Sequence, residues 1–271
     1  MKPIVSYFVV ALFISGCAHQ TNHLGETPPQ LPDKTRPETS TNPQQALVIG
    51  NSEYEYTPLT HPVNDAKDMA DALEQMGFEV TLKLNLNNQA MVEAFRDFGK
   101  RLSTTPEVEV GLFYFSGHSA QVDGQNFMLP INNSKINGEK DLKPNAVHAK
   151  TILDEMAKAN KGVRIIILDA CYKNPYRQSN KSQTQGLARI SPPSGALIAF
   201  ATEENQTVSD VEGRNGLYTK HLLTVLEEAE HNRIEDVFME VNELVMQESG
   251  GKQTPWYQAT LIKPFCLGGC L

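Results

Sequence analysis

VGLFYFSGHS, residues 110–119, runs without a charge from Val110 to Phe115 and then breaks into small polar residues. A short apolar run of this kind, bounded by Ser and Gly, reads as a strand covered on both faces. VRIIILDAC, residues 163–171, reads as a second such strand, rich in β-branched residues over Val163–Leu168, and then gives Asp169-Ala170-Cys171. Working outward, a strand opens at residue 44, and a helix capped by Asn64 carries Ala66, Met69, Ala70 and Leu73 at helical spacing and stops at Gly77. A strand over 78–84 and a helix marked by Met91, Phe95, Phe98 and Leu102 complete the first half. Val122 to Leu129 reads as a hairpin turning at Asp123-Gly124. After it come a helix near 149–160, a polar loop over 172–193, a strand over 196–201, helices near 216–229 and 234–248, and an edge strand from Trp256. Strands alternating with helices require crossovers, so the fold class is α/β, a mostly parallel sheet with helices on both faces. Ligands of such sheets sit beyond the carboxyl ends of the strands, and function is sought there.

Composition bounds what the site can do. The chain has 271 residues, 40% hydrophobic and 21% charged, which suits a globular domain. Its net charge of −8 argues against a nucleic-acid binder held by a basic face. No apolar run approaches the roughly 20 residues of a membrane-spanning helix.

The chain begins with an address. Lys2 precedes an almost wholly apolar stretch from Ile4 to Ile14, followed by Ser15-Gly16-Cys17. A basic start, a short apolar segment and small residues before a cut site form a secretory signal. Ser-Gly-Cys resembles the lipobox of bacterial lipoproteins, which implies cleavage of residues 1–16, a lipid on Cys17 and, with Ala18 next, lipid anchoring at the outer membrane. Cleavage removes Lys2 and moves the net charge from −8 to −9. Residues 18–43 hold five of the sixteen prolines and no aromatic residue, so this stretch is a tether. Extended at about 3.1 Å per residue, it reaches roughly 80 Å. The expected division is a signal over 1–16, lipidated Cys and tether over 17–43, one domain over 44–265, and a Cys-containing tail over 266–271.

The most chemically loaded strand ends are Ser116-Gly117-His118-Ser119 and Asp169-Ala170-Cys171. If these strands are neighbours, His118 and Cys171 face one crevice. A thiolate there attacks a carbonyl carbon, and an imidazole takes the thiol proton and returns it to the leaving amine. Backbone N–H groups can hold the oxyanion.

FYFSGHS followed by ILDACYKNP strongly resembles the caspase-like cysteine peptidases, in their bacterial, metacaspase-type branch. ALVIGNSEY, HPVNDAKDMADAL, ALIAFAT, GLYTKHLL and KQTPWY match further landmarks in order, so the resemblance covers roughly residues 45–265. It implies a caspase-like (caspase-hemoglobinase) fold and a cysteine endopeptidase acting on a protein or peptide substrate, with no cofactor. His118 is then the general acid/base and Cys171 the nucleophile and an oxyanion donor. Asp65 and Asp169 match the acidic residues that line the S1 pocket and select Arg or Lys at P1. Gly117 and Ser119 fall at the oxyanion turn.

Three departures accompany the match. Ser119 stands where the family usually has Gly, Tyr172 where an Arg often follows the nucleophile, and EENQT (203–207) where a Pro-Gly turn is frequent. They feed an alternative reading, a caspase-fold lipoprotein that is catalytically weak or inactive and serves as an envelope binding module. Of the remaining cysteines, Cys266 and Cys270 flank Leu267-Gly268-Gly269, and in an oxidising compartment they are expected to form a disulfide. No His lies near them and no second Cys pair exists, so no metal site is expected. The loop cations Lys173, Arg177, Lys181 and Arg189 make self-cleavage conceivable.

Overall fold

The computed structural model describes residues 43–105, 107–159, 162–171, 187–203, 212–229, 231–267 and 269–270. The signal segment, Cys17, most of the tether, Tyr172, Lys173, Arg177 and Lys181 lie outside the described residues. In chain order the elements are β1 (Gln44–Gly50), α1 (Pro62–Gln75), β2 (Phe78–Leu84), α2 (Asn88–Thr104), β3 (Val110–Val122) and β4 (Gln125–Met128). A 3₁₀ turn (Asn133–Lys135), α3 (Glu139–Asn145), β5 (Val147–His148), α4 (Ala149–Ala159), β6 (Val163–Cys171) and β7 (Ala196–Phe200) follow. The chain then forms α5 (Leu217–Glu228), α6 (Ile234–Ser249) and β8 (Trp256–Ala259). The sheet order is β2-β1-β3-β6-β7-β8, parallel apart from β8.

Strand alternation sorts the core into two layers. Ala46, Val48, Leu112, Tyr114, Ile165 and Ile167 pack with Met69 and Leu73 of α1, Leu222 of α5, and Val237 and Val241 of α6. The intervening Leu47, Ile49, Phe113, Phe115, Ile166 and Leu168 pack with Phe95 and Phe98 of α2 and with Ile152 and Met156 of α4. Each such burial contributes about 1.5–3 kcal/mol of transfer free energy. At the end of β1, a Cβ on Gly50 would lie 2.2 Å from the Pro62 carbonyl oxygen and 2.6 Å from Ala66 Cβ. Glycine therefore lets the first turn of α1 sit directly on the strand end, which brings Asp65 to the sheet.

Several boundaries differ from the sequence expectation. Helix α1 starts at Pro62 rather than after Asn64, because proline is preorganised for the first helical position. Asn64 lies within the helix, and its side-chain amide donates to the Arg214 carbonyl at 3.1 Å. Strand β3 does not stop at Phe115 but continues to Val122. It stays paired because β4 takes over where β1 ends at Gly50 opposite Ser116. The tail drawn from residue 266 is joined to the core at its start. Phe265, Cys266 and Leu267 are buried, and Cys266 bridges to Arg233 beside α6. Cys266 and Cys270 are disulfide-bonded, with Cα atoms 5.0 Å apart.

Candidate active site

The order β1-β3-β6 makes the two loaded strands neighbours. Ser116, Gly117 and His118 stand opposite Asp169, Ala170 and Cys171 in parallel register. Residues 116, 118 and 169 share strand parity with Tyr114 and Ile167, the α1/α5 side of the sheet.

His118 is fully buried and held from the loop between β1 and α1. Its Nε2 lies 2.7 Å from the Thr57 carbonyl oxygen. A carbonyl only accepts, so Nε2 carries the proton and Nδ1 is the basic nitrogen of the neutral ring. Thr57 makes this contact from the left-handed region, with φ 59°. The Tyr54 ring lies against the imidazole, centroids 4.5 Å apart. The Tyr54 hydroxyl accepts from the His118 N–H at 2.7 Å and donates to the Leu129 carbonyl at 3.3 Å. Because the Leu129 N–H donates to the His118 carbonyl at 2.9 Å, the hydroxyl stands where the reciprocal ladder bond would close.

Gly117 is explained by the same hydroxyl. A Cβ there would lie 2.5 Å from Tyr54 Oη and 2.9 Å from Phe115 Cζ. Gly117→Ala is expected to lower the unfolding free energy by about 1–3 kcal/mol by overpacking. Tyr54→Phe in the same chain should recover part of that loss, which thermal melts of the two single variants and the double variant will read. The expected turn at Gly117 and Ser119 is not present, since both residues lie within β3. Ser119 is absent from the positive-φ residues, so a side chain there carries no left-handed strain. His118 directs its backbone groups toward β4 and Tyr54, so alternation turns the Ser119 N–H to the β6 side, where that strand ends at Cys171.

Asp65 and Asp169 are 1% and 3% exposed. Asp65 accepts from the Gly216 N–H at 2.9 Å and from the Ser116 hydroxyl at 3.1 Å. Asp169 accepts from the Thr219 hydroxyl at 2.6 Å, and that hydroxyl meets the Tyr114 hydroxyl at 2.5 Å. Burial pushes the Asp65 carboxyl up, against the lowering effect of the Gly216 N–H. Burial, and then the charge of Asp65, pushes Asp169 up to about 7. The Tyr114 hydroxyl is held well above its usual value by burial and by both carboxylates. A Cβ on Gly216 would sit 3.4 Å from Asp65 Oδ2 and 3.8 Å from Asp169 Oδ2, so this glycine is the thin wall beside the pair. It is held in place by Arg214, whose guanidinium grips both oxygens of Asp68 on α1 at 2.7 Å.

Two buried carboxylates beside a Cys/His strand pair suit the recognition of a guanidinium or ammonium group. Among the described residues, no three His, Cys, Asp or Glu side chains gather to hold a metal ion. Tyr54, Thr57, Thr219 and Gly216 were not singled out from the sequence as contacts. Tyr54 closes the quoted ALVIGNSEY, but nothing in its spacing announces a contact 64 residues along the chain.

The family model described as the Caspase domain matches residues 44–266. The human Mucosa-associated lymphoid tissue lymphoma translocation protein 1 is 25% identical over 207 residues, covering 75% of this chain and 24% of that protein. Its mouse homolog is 25% identical over 181 residues, covering 65% of this chain and 21% of that protein. The chain thus spans about a quarter of the length of the curated relatives it matches.

Proposed function

This chain belongs to the caspase-domain family, and on that premise we propose that it is a cysteine endopeptidase using Cys171 and His118, cutting after Arg or Lys. The observation that carries the reading is the register of His118 opposite Cys171, with the imidazole Nε2 already committed to the Thr57 carbonyl. The Cys171 thiol proton passes to His118 Nδ1, and the thiolate adds to the scissile carbonyl carbon. The Cys171 and Ser119 N–H groups face the oxyanion. On collapse the C–N bond breaks, and His118 returns the proton to the leaving amine. Water then attacks the thioester with His118 as base, releasing the acid and restoring the thiol.

The P1 side chain enters between Asp65 and Asp169. Arg is preferred to Lys where its planar fork meets a carboxylate with two bonds. The purified chain assayed against a P1-varied peptide library tests this. A profile led by Arg and Lys supports it, and a profile led by Asp overturns it. The strand geometry at Ser119 takes one support from the non-cleaving alternative, because the serine strains nothing there. Self-cleavage after Arg189 is disfavoured. Leu187 and Ala188 are buried, Ala188 is bonded through both backbone groups to Asn126 at 2.7 Å, and Arg189 lies over Trp256.

Cys17 carries the lipid in this reading, and the tether lets the domain work beside the outer membrane. Cys17→Ser is expected to leave the protein without lipid and out of the outer-membrane fraction. Continued labelling of that variant by a palmitate analogue would remove the anchor from the proposal.

A further inference from the structure

The loop that orients His118 is itself held by a residue from the far side of the β4 hairpin. Asn133, in the 3₁₀ turn, is fully buried. Its Oδ1 accepts from the Tyr56 N–H at 2.9 Å and its Nδ2 donates to the Tyr56 carbonyl at 2.9 Å. Both halves of one side-chain amide are thus committed to the backbone of one residue, 77 positions away in sequence. A neighbouring bond, Glu55 N–H to the Ile131 carbonyl at 2.9 Å, runs between the same two segments. The residue after Tyr56 is Thr57, a β-branched residue at φ 59°. That conformation costs roughly 1–2 kcal/mol and persists only where the surroundings impose it. The next bond along is the one from His118 Nε2 to the Thr57 carbonyl at 2.7 Å.

We propose that Asn133 is a positioning residue for catalysis, pinning Tyr56 so that the Thr57 carbonyl stays aimed at His118 Nε2. This rests on the reading of His118 as the acid/base of Cys171. The chemistry requires an amide in particular. One donor and one acceptor at fixed spacing match one residue's C=O and N–H, and the side chain acts as a rung of sheet. A carboxylate of the same shape keeps the bond from the Tyr56 N–H but sets an acceptor against the Tyr56 carbonyl. Once Thr57 is released, the imidazolium loses the acceptor of its Nε2–H. The thiolate–imidazolium pair is then less favoured, and the thiolate forms at higher pH.

The test is the rate of iodoacetamide labelling of Cys171 against pH, read by peptide mass in the full chain, with kcat and KM on a cleaved peptide. Asn133→Asp is expected to move the midpoint of labelling upward by about one pH unit. It should also lower kcat by about 10–100-fold with KM within about twofold. Among the described residues, the titratable groups near His118 are Cys171 and Asp169 on β6, Tyr54 in its loop, and Asp65 on α1 through Ser116. Asn133→Asp changes none of them, but it adds a carboxyl of its own, so Asn133→Ser is run beside it and must shift the midpoint in the same direction. A purely structural defect lowers the labelled fraction at every pH and leaves the midpoint in place, and that result overturns the proposal. Loss of folding in both variants also overturns it, because Asn133 is then a determinant of the fold. His118→Ala is the control. If it leaves the wild-type midpoint unmoved, the His118–Cys171 reading fails, a different outcome from failure at Asn133 alone.

Discussion

Cys171→Ala and His118→Ala are each expected to abolish turnover, by roughly 10⁴–10⁶ in kcat, with the double variant no worse than the more damaged single one. The two residues act as one unit, since the thiol is a useful nucleophile only while the imidazole holds its proton. Their placement opposite each other, His118 within β3 and Cys171 at the end of β6, makes that unit geometrically direct. Single-turnover measurements on a basic-P1 peptide check this. In His118→Ala, Cys171 should still take up iodoacetamide, with the pH dependence of an ordinary thiol near 8.5. Undiminished cleavage by Cys171→Ala would place the chemistry elsewhere.

Asp65→Asn is expected to lower kcat/KM for basic-P1 peptides by about 2–4 kcal/mol, the cost of leaving a substrate cation without its buried partner. Alkylation of Cys171 should be nearly unchanged. The pair also sets a pH signature. Asp169 is pushed up to about 7, first by burial and then by the charge of Asp65. Below that pH the pocket is short of one negative charge, so kcat/KM for basic P1 should rise as the pH passes through 7. Asn at position 65 removes the neighbouring charge, which lowers the Asp169 value and moves the rise to lower pH. Stability follows the opposite course. A carboxyl whose value is raised on folding binds its proton more tightly in the native state, so its contribution falls as pH increases from about 4 to about 7. Melting curves of the peptide-free protein at pH 5.5 and 7.5, with and without an arginine-based peptide aldehyde, should show stabilisation by the ligand that is larger at pH 7.5.

Much of this was legible along the chain. Apolar runs at 46–49, 110–115 and 165–168, each followed by small or polar residues, mark buried parallel strands, because only a strand covered on both faces loses its alternation. Asp169 and Cys171 were readable as strand-end chemistry for the same reason. The length of β3 was not. Ser-Gly-His-Ser looks like a break, and its extended course depends on β4, which pairs with it only after the chain has turned at Asp123-Gly124.

The sequence by itself determined the α/β class, the order of the central strands and main helices and the two strands that carry a thiol and an imidazole, since periodicity and local composition act over neighbouring residues. Only the tertiary structure decided what surrounds them. Thr57 reaches His118, Gly216 closes on Asp65, Thr219 binds Asp169, and Asn133 holds Tyr56. Each of these bonds joins segments 50 or more residues apart. They form because burial removes water from polar groups that must then find partners wherever the packed chain presents them. No local pattern encodes which partner that will be.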